Sequence, residues 1–177
     1  MIRAKSRTHA NRGMKFESAI EKSCENYRQQ KLAVVKKRPT DWTVRWEDGK
    51  IISAFPKKKS TVDFEGILAG GQGIAFEAKE TKNKTSFPLS NFQSHQISYL
   101  ENFAQMGGMA FVLIRFTVHE AVYKIMIDEF RKMISDCETL GRKSIPLDRI
   151  KQPSDKCYRI TEMYELPLFL NNHYNQK

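Results

Sequence analysis

Cysteine is scarce and poorly placed for cross-linking. Cys24, Cys137 and Cys157 are odd in number, far apart and without a CxxC, so neither a disulfide framework nor a cysteine zinc site is indicated and three buried thiols are expected. The four histidines, His9, His95, His119 and His173, are scattered and have no second His or Cys at ligand spacing, which argues against a His-based metal site or a His general base. No apolar run approaches the ~20 residues that a membrane span needs, and MIRAKSRTHANRGMKF carries no apolar stretch behind its basic residues. A cytoplasmic protein without membrane contact is the expectation. Also missing are GxGxxG, GKS or GKT, GxSxG, internal repeats and low-complexity blocks, so nucleotide-binding loops and serine-nucleophile chemistry find no support. The 177 residues, 40% hydrophobic and 28% charged, suit one compact domain.

Acidic residues are thin at one end only. Residues 1–60 hold 16 basic and 6 acidic side chains, whereas residues 61–177 hold 14 of each, so the whole net charge of +10 lies in the first third. A segregated positive surface is the footprint of a polyanion binder, because each phosphate neutralised releases condensed counterions. A solvated basic tail would account for residues 1–12 alone. The further clusters Lys36-Lys37-Arg38 and Lys57-Lys58-Lys59 favour nucleic acid.

Residues 1–13 read as a flexible basic arm and 14–177 as a single domain. Phe16, Ile20, Cys24 and Tyr27 recur at helical spacing and predict an amphipathic helix of roughly 15 residues from Met14, with Glu17, Glu21 and Glu25 on its other face. Leu32–Val35 reads as a short strand. Trp42, Val44 and Trp46 alternate with Thr43 and Arg45 before the turn at Asp48-Gly49, which predicts a β-hairpin over 42–55 within a basic insertion spanning 39–60. Its tryptophans fit either core packing or a projecting surface that touches DNA. Two strands, 61–68 and 73–80, join through the tight turn AGGQ. Ser90 with Gln93 resembles a capping box for a helix to about Gln105, with Phe92, Gln96, Tyr99 and Phe103 on one stripe and Gly107-Gly108 ending it. MAFVLIRF at 109–116 and HEAVYKIMI at 119–127 read as central strands, and Asp128 as the cap of a helix bearing Phe130, Met133, Ile134 and Cys137. The remainder is a mixed tail.

The chemistry concentrates in Asp63 and in Glu77-Ala78-Lys79. Along a strand Glu77 and Lys79 point to one face while Phe76 and Ala78 point to the other, so an acid and a base project together from a strand with an apolar back. A hairpin turning near Gly70–Gln72 brings Asp63 alongside them on that face. Two converging carboxylates make an oxygen-only site suited to Mg²⁺ or Mn²⁺. Such a site suits phosphodiester hydrolysis, with Lys79 placed to position the attacking water or neutralise developing charge. A surface ion pair is the plainer reading of ExK alone; Asp63, the strand-turn-strand between and the basic segment upstream weigh against it.

The pattern D-x13-ExK after an N-terminal helix resembles the PD-(D/E)xK nuclease superfamily. NRGMKFE at 11–17, STVDFEGI at 60–67, FEAKETKNKTSFPL at 76–89 and NFQSHQI at 91–97 resemble, in order, the RecU-type Holliday junction resolvases. That resemblance implies an α/β fold with a central mixed sheet flanked by helices and a projecting basic stalk. It implies a homodimeric, Mg²⁺-dependent endonuclease that nicks opposed strands of four-way junction DNA symmetrically, with recombination proteins as candidate partners. Carried over by position, Asp63 and Glu77 are implied metal ligands, the Ala78 carbonyl a further one and Lys79 the catalytic lysine. Glu17 matches the first-helix acid near the metals and Gln96 the active-site glutamine of the HQ dipeptide; a solvated helix face and a surface amide are their plainer readings.

Val62 stands where the superfamily pattern has proline, and the segment DWTVRWEDGKIISAFPKKK matches the family stalk in position rather than in sequence. Candidate DNA contacts are Arg12, Lys36, Lys37, Arg45, Lys50, Lys57, Lys58 and Lys59, then Lys82, Asn83, Lys84 and Thr85 directly after the catalytic strand, with Trp42 or Trp46 placed against exposed bases. A superfamily nuclease acting on duplex or flap DNA, and a non-catalytic junction-binding protein that recruits partners, are the alternatives.

Overall fold

A computed structural model describes residues 10–39, 42–56, 61–152 and 154–160, with side chains from Phe16 onward. Its centre is a six-stranded sheet of order β1-β4-β5-β7-β8-β10, made of β1 (Ala33–Lys37), β4 (Phe64–Leu68), β5 (Gly73–Thr81), β7 (Met109–Phe116), β8 (Ala121–Met126) and β10 (Cys157–Ile160). Only the β5–β7 pair is parallel, and α2 (Ser94–Gln105) lies in the crossover that such a pair requires. The sheet is therefore mixed, as expected of the PD-(D/E)xK core.

Strand alternation sorts the core into two layers. Ile74, Phe76 and Ala78 of β5 face one side with Phe64, Phe111 and Leu113, where α1 (Ala10–Gln29) lays down Phe16, Ile20, Cys24 and Tyr27. Ala75 faces the other side with Val112, Ile114, Tyr123 and Ile125, covered by α2 and by α3 (Ile127–Thr139) through Leu100, Phe130, Met133 and Ile134. Phe64, Phe76 and Phe111 are aligned cross-strand neighbours on β4, β5 and β7. Their rings stack at 4.9 and 4.7 Å, close to the strand spacing itself, and so form an apolar floor behind Glu77.

The turn between β4 and β5 is closed by Leu68 N–H to the Gln72 carbonyl at 2.8 Å. Gly70 and Gly71 there have φ of 90° and 91°, which a side chain adopts only with strain. A separate two-stranded sheet, β2 (Trp42–Glu47) with β3 (Lys50–Pro56), carries the Asp48-Gly49 turn where alternation placed it. Trp42 and Trp46 are 57% and 64% exposed, which removes the core-packing reading. With no second layer described over this hairpin, alternation creates an apolar face without burying it.

Elements near the C-terminal end are β9 (Ser144–Pro146), paired with β6 (Ser86–Pro88), and the short helix α4 (Leu147–Ile150). Three helix starts differ from expectation, and the strands expected over 32–35, 61–68 and 119–127 run over Ala33–Lys37, Phe64–Leu68 and Ala121–Met126. Helix α1 starts at Ala10, four residues early, because Asn11, Arg12 and Gly13 continue its turns. Ser90 falls in a 3-10 turn over Leu89–Asn91, so α2 is capped by Gln93 instead. Asp128 sits inside the first turn of α3, whose N-cap is Met126, and its carboxylate accepts the Glu129 N–H at 2.9 Å and pairs with Lys156. All three cysteines are free and buried. Among the described residues no helix is long and apolar enough to cross a membrane.

Candidate active site

Asp63 immediately precedes β4, and the pairing of Phe64 with Phe76 carries it beside Glu77 on β5. The two residues clasp each other through the backbone. Asp63 N–H donates to Glu77 Oε2 at 2.9 Å, and Ala78 N–H donates to Asp63 Oδ2 at 3.1 Å. Because the N–H and C=O of one strand residue face the same neighbour, the Ala78 carbonyl also lies on the Asp63 side. Glu77 is wholly buried, and its Oε1 accepts from both Lys79 Nζ and Gln96 Nε2. The Lys79 side chain is about a quarter exposed, which leaves its ammonium at the mouth of the site.

Gln96 is held in one orientation. Its Oε1 accepts the Gln93 N–H at 3.1 Å in the capping box of α2, so its amide nitrogen is the atom left for Glu77. The surface-amide reading of Gln96 is thereby excluded, since the residue is buried.

Burial, and next the neighbouring Asp63 charge, push the Glu77 carboxyl from its ordinary 4.5 up to about 7 against the lowering effect of Lys79. Burial likewise raises Asp63, opposed by Lys79 and by the Ala78 N–H. Two carboxylates held together in a desolvated cleft are short of positive charge, and their oxygen donors fit a hard divalent cation. Among the described residues no group of three or more His, Cys, Asp and Glu converges on a metal position, so the donor set is this pair with neighbouring oxygens.

The elevated Glu77 carboxyl makes its own contribution to the pH dependence of stability. Between about pH 4.5 and pH 7 it holds a proton in the folded state that it has lost in the unfolded chain, so stability present below the unfolded value is lost as pH rises through the folded one. We expect this contribution in the metal-free protein to fall by on the order of 2 kcal/mol, about 5 °C in Tm, between about pH 5 and pH 8. Glu77→Gln should flatten that slope, as thermal melts across the range will read.

The remaining predicted residues are distributed as follows. Glu17 on α1 is turned to Lys37 of β1 in an ion pair, close enough to Asp63 to raise its carboxyl. Lys36, Arg45, Lys82, Asn83, Lys84 and Thr85 are exposed, as is Lys37 beside Glu17. Arg12 lies in α1 with its side chain outside the described residues, and Lys57, Lys58 and Lys59 lie outside them altogether. Arg38, Glu65 and Tyr99 form a hydrogen-bonded group beside these residues that the sequence does not bring together, Arg38 being read there only as part of a basic cluster and Tyr99 as part of a helix stripe. Their signal is positional, because Glu65 follows Asp63 by two on a strand and Tyr99 follows Gln96 by three on a helix.

Comparison with known proteins agrees with the motif. The family model RecU, Recombination protein U, matches residues 11–170. The Holliday junction resolvase RecU of Geobacillus thermodenitrificans is 40% identical over 152 residues, covering 81% of this chain and 74% of that protein. The one from Oceanobacillus iheyensis is 38% identical over 155 residues, covering 84% and 79% respectively. The solved structure of Archaeoglobus fulgidus Hjc, a Holliday junction resolvase, aligns over 84% of this chain and 90% of its own at 11% identity and a TM-score of 0.40, too distant to carry weight. On the family match and the identity to these relatives, the chain belongs to the RecU family.

Proposed function

We propose that this protein is a cytoplasmic, homodimeric endonuclease that resolves four-way DNA junctions by symmetric, metal-dependent phosphodiester hydrolysis. The observation that carries the reading is the meeting of Asp63, Glu77 and Lys79 on adjoining strands in a member of the RecU family. Two opposed nicks require two such sites in matched orientation, which a two-fold dimer supplies.

Asp63, Glu77 and the Ala78 carbonyl would hold Mg²⁺, with Mn²⁺ as substitute, and Glu17 and Gln96 border them. When bound, such an ion lowers the pKa of a water and stabilises charge on the phosphate. Lys79 offers its ammonium at the mouth of the site, where negative charge develops on the phosphoryl oxygens. Gln96 holds Glu77 in place from the side opposite Asp63's amide. Nicking of a labelled junction should rise with added Mg²⁺ and vanish in chelator. Undiminished nicking in chelator would contradict the metal-dependent reading.

The segment Lys82–Thr85 is suited to grip the cut strand because its side chains are exposed while its backbone is pinned. Asn83 N–H donates to Thr81 Oγ1 at 3.1 Å, His119 Nε2 donates to the Lys84 carbonyl at 2.7 Å, and Leu147 N–H donates to the Thr85 carbonyl at 2.8 Å. A pinned backbone loses little freedom on meeting phosphate, so only the side chains remain to be ordered. The hairpin exposes apolar groups suited to unstacked bases, among them Trp42, Val44, Trp46, Ile51 and Phe55, together with Arg45 and Lys50, which suit phosphates. Neutralising Lys57, Lys58 and Lys59 together should lower the salt slope of junction binding by roughly 0.9 for each phosphate they no longer neutralise. An unchanged slope would remove these lysines from the interface.

A further inference from the structure

The catalytic pair belongs to a closed ring of hydrogen bonds that reaches well beyond it. Arg38 N–H donates to the Asp63 carbonyl at 2.8 Å, and the Arg38 guanidinium donates through Nη1 to Glu65 Oε2 at 2.7 Å. The other Glu65 oxygen accepts the Tyr99 hydroxyl proton. Tyr99 lies one helical turn beyond Gln96, Gln96 donates to Glu77, and Glu77 accepts from Asp63 N–H, where the ring closes. Burial and the Glu65 carboxylate raise the Tyr99 hydroxyl above its ordinary value, so it is a donor at neutral pH as any tyrosine is.

The ring solves a docking problem. Helix α2 rests on the sheet through Leu100 and through Phe103, which packs so closely on β5 that a Cβ at Gly73 would meet its ring at 3.0 Å. Apolar contact supplies adhesion without direction, and hydrogen bonds add orientation to it; just beyond the C-terminal end of α2, Gln72 Nε2 donates to the Gly107 carbonyl at 3.0 Å. Directional bonds from α2 to the catalytic strands come from Gln96 to Glu77 and from Tyr99 to Glu65, three residues apart on the helix and spanning neighbouring strands. Arg38 occupies the second Glu65 oxygen, which favours the orientation that meets Tyr99.

We infer that Tyr99, braced by Glu65 and Arg38, is a positioning residue for the nuclease reaction: it fixes α2 so that the Gln96 amide meets Glu77, and thereby holds Glu77 against Asp63. The inference rests on the proposed reading of Asp63, Glu77 and Lys79 as the active site. It assigns to the Arg38–Glu65–Tyr99 bridge a role in turnover distinct from DNA binding.

The test is a double-mutant cycle on junction cleavage with Tyr99→Phe and Gln96→Ala. Phenylalanine keeps the ring and removes only the hydroxyl, so folding is not at stake. Tyr99→Phe should lower kcat about tenfold with KM unchanged, the size expected for one hydrogen bond to a carboxylate. In the Gln96→Ala background the same change should cost nothing further, and Glu65→Ala should reproduce both results. In the DNA-free protein, the Gln96 side-chain amide resonances should move toward free-amide values in Tyr99→Phe. Wild-type kcat in Tyr99→Phe, equal losses in both backgrounds, or an unmoved Gln96 amide would each overturn the inference. Absence of cutting by the wild-type protein would instead sink the active-site reading, while the amide signal would still decide whether Tyr99 positions Gln96.

Discussion

Asp63→Asn and Glu77→Gln should each abolish junction cleavage, lowering the rate by at least about 10³-fold, while leaving junction affinity within a factor of about three. The asymmetry follows from where charge sits. Both carboxylates face a desolvated cleft, and Glu77 is wholly buried, so neither contributes to the exposed cationic surface that meets phosphate. Each is isosteric with its amide, and the amide keeps one acceptor oxygen for the Asp63 or Ala78 N–H, so the strand clasp survives, while at Glu77 the new NH2 replaces the oxygen that accepts from Lys79 and Gln96. What is lost is negative charge for a cation. Strand-resolved cleavage with parallel binding isotherms separates the two effects, and weakened binding equal to the loss of cutting would mean that these carboxylates shape the DNA interface instead.

Lys79→Met is the second large effect, with an expected fall of about 10² to 10³ in cleavage rate and little change in binding. Its ammonium lies against Glu77 and points to the open side of the cleft. Methionine keeps the apolar stem and removes the charge that opposes the upward push on the Glu77 carboxyl. The variant should therefore also need higher pH to reach its own maximal rate, because Glu77 must lose its proton before it can serve a cation. Lys79→Arg should recover only part of the activity, since a planar guanidinium does not occupy the position of a compact ammonium. A flat loss at every pH would leave Lys79 with a charge role in the reaction but none in tuning Glu77.

Much of this site is legible in the sequence because strands impose a period of two. That period places Glu77 and Lys79 on one face and Phe76 and Ala78 on the other, and the glycine turn brings Asp63 back beside them. The same reasoning is indifferent to burial. It gives Trp42, Val44 and Trp46 a shared face without saying whether anything covers it, and it passes over Lys124. That lysine is fully buried in β8 with its ammonium 4.5 Å from the Phe111 ring centroid, and burial lowers its pKa to about 8. Local capping rules point to Ser90, whereas Pro88 leads into a 3-10 turn that delays α2 until Gln93. The Arg38–Glu65–Tyr99 bridge escapes for a different reason. Its partners lie 27 and 34 residues apart, and no local periodicity relates β1, β4 and α2 until the sheet is assembled.

The most direct test of the account is strand-resolved cleavage of a labelled four-way junction with Mg²⁺, beside a linear duplex of the same sequence and the Glu77→Gln variant. The account predicts paired nicks on opposed strands of the junction, little cutting of the duplex and none by the variant. Equal cutting of junction and duplex, or tight junction binding with no nicks at all, would contradict it.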